Sequence, residues 1–349
     1  MRIVVDVMGG DHGPKVIIDG ARLALQSNDK ISELLLVGRE DEIKPEIARL
    51  GWSDPRVKII HASEVLLMED KPVEGLRRKK DCSVLRAVEL IKEGRADALI
   101  SPGNTGGLVA ASTIRLRPLS DVDRPAIATV IPCMENEFVL LDAGASVECR
   151  PSHLLHFAIM GNIYSREILG YKSPRVGILS NGTEANKGTE MTIEAMRLCQ
   201  LASAKLNMNF IGYVEGHDLF HNRVEVVVSD GFVGNIVLKT LESLVKGLAV
   251  WLKNEINKNA KRKIGGLLAK NALRAIYRRL DPDGRGGAPL LGLNGTVIKA
   301  HGSASETAVM NAIGLATQAV KHRINELIQA EAARANEAIA ATQPVVTHA

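Results

Sequence analysis

The chain has 349 residues, and 44 basic against 40 acidic side chains leave a net charge of only +4, too weak a bias to imply a nucleic-acid partner. With 46% hydrophobic residues it can bury a large core, while 3% aromatics offer few platforms for stacking bases. Its four cysteines form no CxxC pair and no apolar run approaches the roughly 18 residues of a membrane span, so a cytoplasmic chain without a transmembrane helix is expected.

Residues 3–7, IVVDV, read as a first strand, followed by the turn MGGDHGP and a helical pattern to about Leu25. Strands follow at 34–37 and 57–60. The run Arg77, Arg78, Lys79 and Lys80 reads either as a solvated face or as a receiver for an acidic partner or a ligand phosphate. A strand at 98–100 leads into SPGNTGG and a run of helix formers from Leu108. Two more strands are expected at 126–131 and 138–141, the second running into Asp142. The strand at 175–179 opens onto SNGTEANKG, which carries Asn181, Glu184 and Lys187, and a further strand covers 209–213. His217 and His221 have i,i+4 spacing but no third ligand, so no metal site is expected. The strand at 224–228 runs into SDGFVGN and a helix from Asn235.

Residues 258–279 carry eight basic side chains and no acid, interleaved with Ile264, Leu267, Leu268, Leu273, Ile276 and Tyr277. This pattern suits a surface-lying membrane helix pair or a protruding oligomer arm, here spanning about 237–280. Then GGAPLLGLNGTVIKAHGSAS brings a glycine-rich lead, a strand at 296–299 and His301 in a turn before another helix. From about Glu331 the chain is alanine-rich and is read as a helix fraying into a partly disordered tail, 331–349.

Strands alternating with helices predict an α/β fold around a largely parallel sheet. Ligands of such sheets bind beyond the carboxyl ends of the strands, and the glycine turns are all expected on that one edge. No linker divides residues 1–330, so one domain or two interwoven lobes is expected.

Glycine turns that open helices offer backbone N–H groups and a partial positive charge to phosphate. Neither GxxxxGK[ST] nor GxGxxG after the first strand is present, and the missing GxGxxG counts against a dinucleotide. Asp11, Asn104 and Asn181 read equally as helix caps or as ligands. Lys187, placed in a glycine turn, can neutralise a phosphate dianion. His301 is either a strand-end histidine or an active-site group.

Seven motifs in order, VDVMGGDHGP, PVEGLRRKKDCS, SPGNTGG, LLDAGASVECRP, VGILSNGTEANKG, VVVSDGFVGNIVLKTLE and GGAPLLGLNGTVIKAHGSA, resemble the PlsX-type phosphate acyltransferases over residues 1–330. Pro102 and Gly107 stand where that family usually has alanine. The resemblance implies a Rossmann-like fold of the isocitrate dehydrogenase and phosphotransacetylase kind. It implies reversible transfer of a long-chain fatty acyl group from acyl carrier protein to inorganic phosphate, giving acyl-phosphate for a membrane glycerol-3-phosphate acyltransferase in bacterial phospholipid synthesis. It further implies a homodimer, no metal or other cofactor, and peripheral attachment to the inner face of the cell membrane.

On that basis Lys187 and the turn amides around Gly103 to Gly107, Gly106 included, are expected to hold phosphate. Gly9, Gly10, Asp11, Asn104, Thr105, Asn181, Glu184, Gly231, Gly234, Gly302 and Ser303 complete the expected surroundings. Asn235 and His301 are the candidates for the acyl oxyanion or the leaving sulfur. Asp6, Asp142 and Asp230 would repel phosphate as bare carboxylates and are expected to orient neighbouring groups instead. Lys261, Arg262, Lys263, Leu267, Leu268 and Ile276 are expected at an anionic membrane or the carrier, with Arg77 to Lys80 as the second basic patch. The alternatives are a phosphotransacetylase-like enzyme using acyl-coenzyme A, and a non-catalytic scaffold for membrane or carrier.

Overall fold

Ile3, Val4 and Val5 of β1 (Arg2–Asp6) are fully enclosed, as a strand with helices on both faces of its sheet requires. The computed structural model describes residues 1–280 and 282–341. After β1 come α1 (Pro14–Ser27), β2 (Glu33–Gly38), α2 (Glu40–Arg49), β3 (Val57–His61), α3 (Pro72–Arg78), α4 (Ser83–Lys92), β4 (Ala98–Ser101), α5 (Thr105–Leu116) and β5 (Ala126–Ile127). The chain continues through β6 (Thr129–Pro132), β7 (Glu137–Leu141), α6 (Pro151–Glu167), β8 (Arg175–Leu179), α7 (Glu190–Leu206), β9 (Asn209–Val214) and β10 (Val226–Val228). Three helices follow, α8 (Gly231–Asn257), α9 (Ala260–Leu268) and α10 (Lys270–Leu280), and then β11 (Ala288–Leu291), β12 (Thr296–Lys299), α11 (Glu306–Lys321) and α12 (Ile324–Ala340).

Two sheets result, ordered β3-β2-β1-β4-β12-β11-β5 and β6-β7-β10-β8-β9. Five strands of the first run parallel, with β11 antiparallel to both β12 and β5. In the second only β6 is antiparallel. The fold is thus α/β and mostly parallel, but the glycine turns do not share one edge. Those after β1, β4 and β12 belong to the first sheet; those after β7, β8 and β10 belong to the second. The segment expected as one strand over 126–131 is the junction. It breaks at Ala128, whose N–H donates to Pro289 O at 3.0 Å, so β5 joins the first sheet and β6 the second.

A continuous apolar core joins the two sheets: Ile3 and Val5 of the first and Val139 and Val226 of the second belong to one cluster. Within it α6 is enclosed almost all round, including His153, His156, Asn162 and Ser165. The expected tail boundary at 331 falls inside α12, which buries Ile328, Ala332 and Ala335 and packs on α6 and α7. Residues 342–349 of that tail lie outside the described residues. By contrast, the 27-residue α8 buries only Gly231 and Gly234, and α9 and α10 bury nothing among the described residues.

Candidate active site

The turns after β1, β4 and β12 interlock through glycines. A Cβ on Gly9 would stand 2.5 Å from the Cα and N of Gly103, and one on Gly302 would stand 2.9 Å from the Asp11 carboxylate. Asp11 N–H donates to Gly302 O at 2.8 Å, tying the first turn to the third. Beneath them Asp6 is buried, its carboxylate accepting from Ser101 Oγ at 2.7 Å and from Met8 N at 3.2 Å. Ser101 Oγ in turn accepts from Gly103 N at 3.2 Å. Burial pushes the Asp6 carboxyl above its ordinary range, against the pull of the hydroxyls of Ser83 and Ser101.

In the turn after β4, Asn104 caps α5, accepting from Gly107 N at 2.9 Å. Its amide nitrogen meets the carbonyls of Leu67, Met68 and Asp70 at 3.2, 2.9 and 3.3 Å, so this side chain builds the loop. Gly107 packs against Leu66, whose Cδ2 would lie 2.1 Å from an added Cβ and would have to rotate away to admit one.

The second sheet contributes two turns. Asp142 is fully buried and accepts four backbone N–H groups, from Ile127 at 2.8 Å, Gly144 and Ala145 at 3.0 Å and Ser146 at 2.6 Å. Burial raises its pKa while those N–H groups oppose the rise. Asp230 caps α8 by accepting from Phe232 N and Val233 N at 2.9 and 2.8 Å. Gly231 and Gly234 let α8 start directly on the β7 turn: their added Cβ atoms would fall 2.5 Å from Asp142 Oδ2 and 1.9 Å from Asp142 O. This contact delivers Asn235, whose side chain lies on Gly144, a residue with φ +131° that only glycine holds without strain.

Between these turns lies a cavity of about 650 Å³. Asp11, Thr105, Gly106, His301 and Gly302 line it from the first sheet; Ala143, Gly144 and Asn235 line it from the second. Ile127, Val130, Leu238 and Ala288 supply an apolar wall, and the cations Lys239, Arg285 and Lys299 also border it. His301 Nδ1 accepts from Ser303 N at 3.2 Å and lies 2.8 Å from Ser303 Oγ, an arrangement that fits the tautomer with its proton on Nε2. Burial and then the nearby Lys299 depress the His301 pKa, keeping the ring neutral. A smaller cavity of about 400 Å³ shares the Val130 and Arg285 wall but holds none of the glycine turns.

Not every expected residue reaches this cavity. Asn181, Glu184 and Lys187 are exposed in the turn after β8 and none lines it. Asn181 Oδ1 accepts Gly188 N at 3.0 Å, and Lys187 lies over Gly182. The reason is topological: β8 stands two strands from β7, about 10 Å along the sheet at ordinary strand spacing. Lys79 is also engaged elsewhere, paired with Asp70 at 2.5 Å and donating to Val65 O at 2.9 Å, whereas Arg77, Arg78 and Lys80 are exposed. Arg262 pairs with Glu255 at 2.6 Å, and Leu267, Leu268 and Ile276 are exposed at 69%, 83% and 57%.

Lys299 is the residue that sequence reasoning passed over, leaving it as the last residue of a strand. Its signal was a cation closing an apolar strand, TVIK, immediately before a glycine turn. In register it faces Ser101, placing Asp6, Ser101 and Lys299 at the ends of three neighbouring strands.

Residues 1–327 match the family described as "Fatty acid synthesis protein". The phosphate acyltransferase of Pelotomaculum thermopropionicum is 45% identical over 329 residues, covering 94% of both chains. That of Desulforudis audaxviator is 47% identical over 321 residues, covering 92% of this chain and 93% of its own. Among solved structures, a phosphotransacetylase from Streptococcus pyogenes superposes with a TM-score of 0.61 at 18% identity, covering 92% and 94% of the two chains, and so shares the fold.

Proposed function

Because the chain belongs to the fatty acid synthesis protein family and is a phosphate acyltransferase, we propose that the cavity between its two sheets passes an acyl group from acyl carrier protein to inorganic phosphate. One observation carries this reading: glycine turns from both sheets meet an apolar wall and three cations in one cavity.

A phosphate oxygen of HPO₄²⁻ attacks the thioester carbonyl carbon, the C–S bond breaks, and the proton from phosphate ends on the departing thiol. Phosphate thus acts as its own nucleophile and no covalent enzyme intermediate is needed. The protein's part is to orient the two reactants, worth roughly 7–11 kcal/mol for well-aligned pairs, and to stabilise the tetrahedral oxyanion, where one lost donor costs about 3 kcal/mol. Asn235 Nδ2 and the Nε2–H of His301 are donors at the cavity for the oxyanion or the leaving sulfur. Asp6, Asp142 and Asp230 act on backbone and hydroxyl groups. Lys187, exposed and without an ion pair among the described residues, draws anionic substrate toward the rim.

The carrier docks on the exposed Arg77, Arg78 and Lys80. The arm α8–α10 exposes Trp251, Ile264, Leu267, Leu268, Ile276 and Tyr277 beside Lys261 and Lys263, a composition suited to an anionic lipid surface. No helix among the described residues is long and apolar enough to cross a membrane. In this reading the protein is a homodimer attached peripherally to the membrane and hands acyl-phosphate to a glycerol-3-phosphate acyltransferase.

The test is trapping of acyl-phosphate with hydroxylamine from long-chain acyl carrier protein and phosphate, beside acetyl-coenzyme A. Acyl hydroxamate from the carrier substrate is expected. No product, or a preference for acetyl-coenzyme A, overturns the reading.

A further inference from the structure

Three cations border the cavity, and two are already paired. Lys239 meets Glu242 at 2.8 Å and Arg285 meets Glu137 at 3.3 Å. Lys299 has no carboxylate within 4.0 Å among the described residues. Its Nζ instead donates to Pro102 O at 3.2 Å and to Ala300 O. An ammonium has three N–H donors, so one is left for the cavity. The charged groups around it are Asp6 and Asp11 on and after β1 and Lys239 on α8, with His301 two residues along the chain. Asp6 already accepts from Ser101 and Met8.

The carbonyl that holds Lys299, that of Pro102, begins the turn leading to α5. At the start of α5 the N–H of Gly107 is taken by Asn104, but those of Thr105 and Gly106, both at the cavity wall, have no intrahelical acceptor. Lys299 and two helix-start amides without an acceptor among the described residues therefore border the same cavity, which suits a small multivalent anion.

We infer that Lys299 is the residue that holds the phosphate acceptor, its third N–H and the N–H groups of Thr105 and Gly106 gripping separate oxygens. The inference rests on the acyl-transfer reading only for what phosphate does once bound. A half-buried cation without a carboxylate partner among the described residues gains much from an arriving anion. Consistent with this, burial pushes the Lys299 pKa down to about 8, against the pull of Asp6 and Asp11.

The experiment titrates the full chain with inorganic phosphate alone, by calorimetry and by thermal shift, in wild type, Lys299→Gln and Lys299→Arg, and then measures turnover with acyl carrier protein. Lys299→Gln is expected to weaken phosphate binding and raise the phosphate KM by about tenfold or more, the usual loss for a charged hydrogen bond. The carrier KM should stay within about twofold, since carrier docks elsewhere. Wild type should lose phosphate affinity as pH rises through about 8, where Lys299 gives up its proton, whereas the guanidinium of Lys299→Arg should remove that fall. Unaltered phosphate affinity in Lys299→Gln, an alkaline fall that persists in Lys299→Arg, or no phosphate binding by wild type overturns the inference. The pH arm needs only wild type and the charge-conserving variant, so it decides even where Lys299→Gln fails to fold. Phosphate binding lost in Lys299→Gln while wild type makes no acyl-phosphate would instead sink the functional reading and leave the site standing.

Discussion

Gly234→Ala tests whether the contact between α8 and the β7 turn positions the chemistry. The added methyl would stand 1.9 Å from Asp142 O, 2.8 Å from Ser229 Oγ and 3.0 Å from the Asp142 carbonyl carbon. Backbone cannot swing aside as a side-chain end can, and Cβ contacts below 3.0 Å do not persist, so the start of α8 must retreat by about 1 Å. Overpacking of this kind costs about 1–3 kcal/mol, and the retreat carries the adjacent Asn235 with it. A misplacement of about 1 Å typically lowers turnover by about 100-fold. Urea denaturation and hydroxylamine trapping of acyl-phosphate read the two effects. Gly247→Ala in the same helix is the control, because its Cβ meets nothing within 4 Å; it should gain about 0.5–1 kcal/mol from helix propensity and keep its activity. A Gly234→Ala protein with wild-type midpoint and turnover would refute the reasoning, as would equal damage from Gly247→Ala.

His301, held neutral by burial and by the cations around it, should titrate by NMR below 6.5. Its folded pKa lies under the unfolded one, so its contribution to stability is present above about pH 6.5 and shrinks as pH falls; His301→Gln should flatten that acid loss, and an unshifted midpoint would contradict the assignment. Replacing Leu267, Leu268 and Ile276 by Gln should release the protein from anionic vesicles in a flotation assay with stability unchanged, since all three are exposed. Reversing charge at Arg77, Arg78 and Lys80 should weaken carrier binding at low salt and flatten its salt dependence, whereas Lys79→Ala should loosen the loop held by Asp70 and leave the salt slope intact.

The ends of the strands were legible because their chemistry is local. An apolar run stopping at Asp6 or at Ile100 followed by glycine declares a strand and its turn without reference to the rest of the chain. Which turns meet was not legible, since that depends on strand order. Lys187 and Asn235 sit in turns of similar composition, yet β8 lies one strand beyond β10, and only α8, seated on Asp142 by two glycines, reaches the cavity. The junction at Ala128 was hidden for the same reason: residues 126–131 have strand character throughout, and only the pairing of β5 with β11 shows that they serve two sheets. β11 itself, read as a glycine-rich lead, pairs antiparallel despite Pro289, whose carbonyl accepts from Ala128.

The carboxylates resolve the electrostatic difficulty of a phosphate site lined with aspartates. Asp142 accepts four N–H groups and Asp6 a hydroxyl and an N–H, so their oxygens face the backbone they organise and not the cavity. Asp230 does the same at the start of α8. Each carboxylate thereby fixes the backbone of a glycine turn or of the helix start that follows it. SPGNTGG needs no lysine for the same reason: Asn104 builds the loop, Ser101 ties it to Asp6, and the cation comes from Lys299 one strand away, in register with Ser101. Loop rigidity and charge are thus supplied by different strands, so the proposed phosphate site needs neither GxxxxGK[ST] nor GxGxxG.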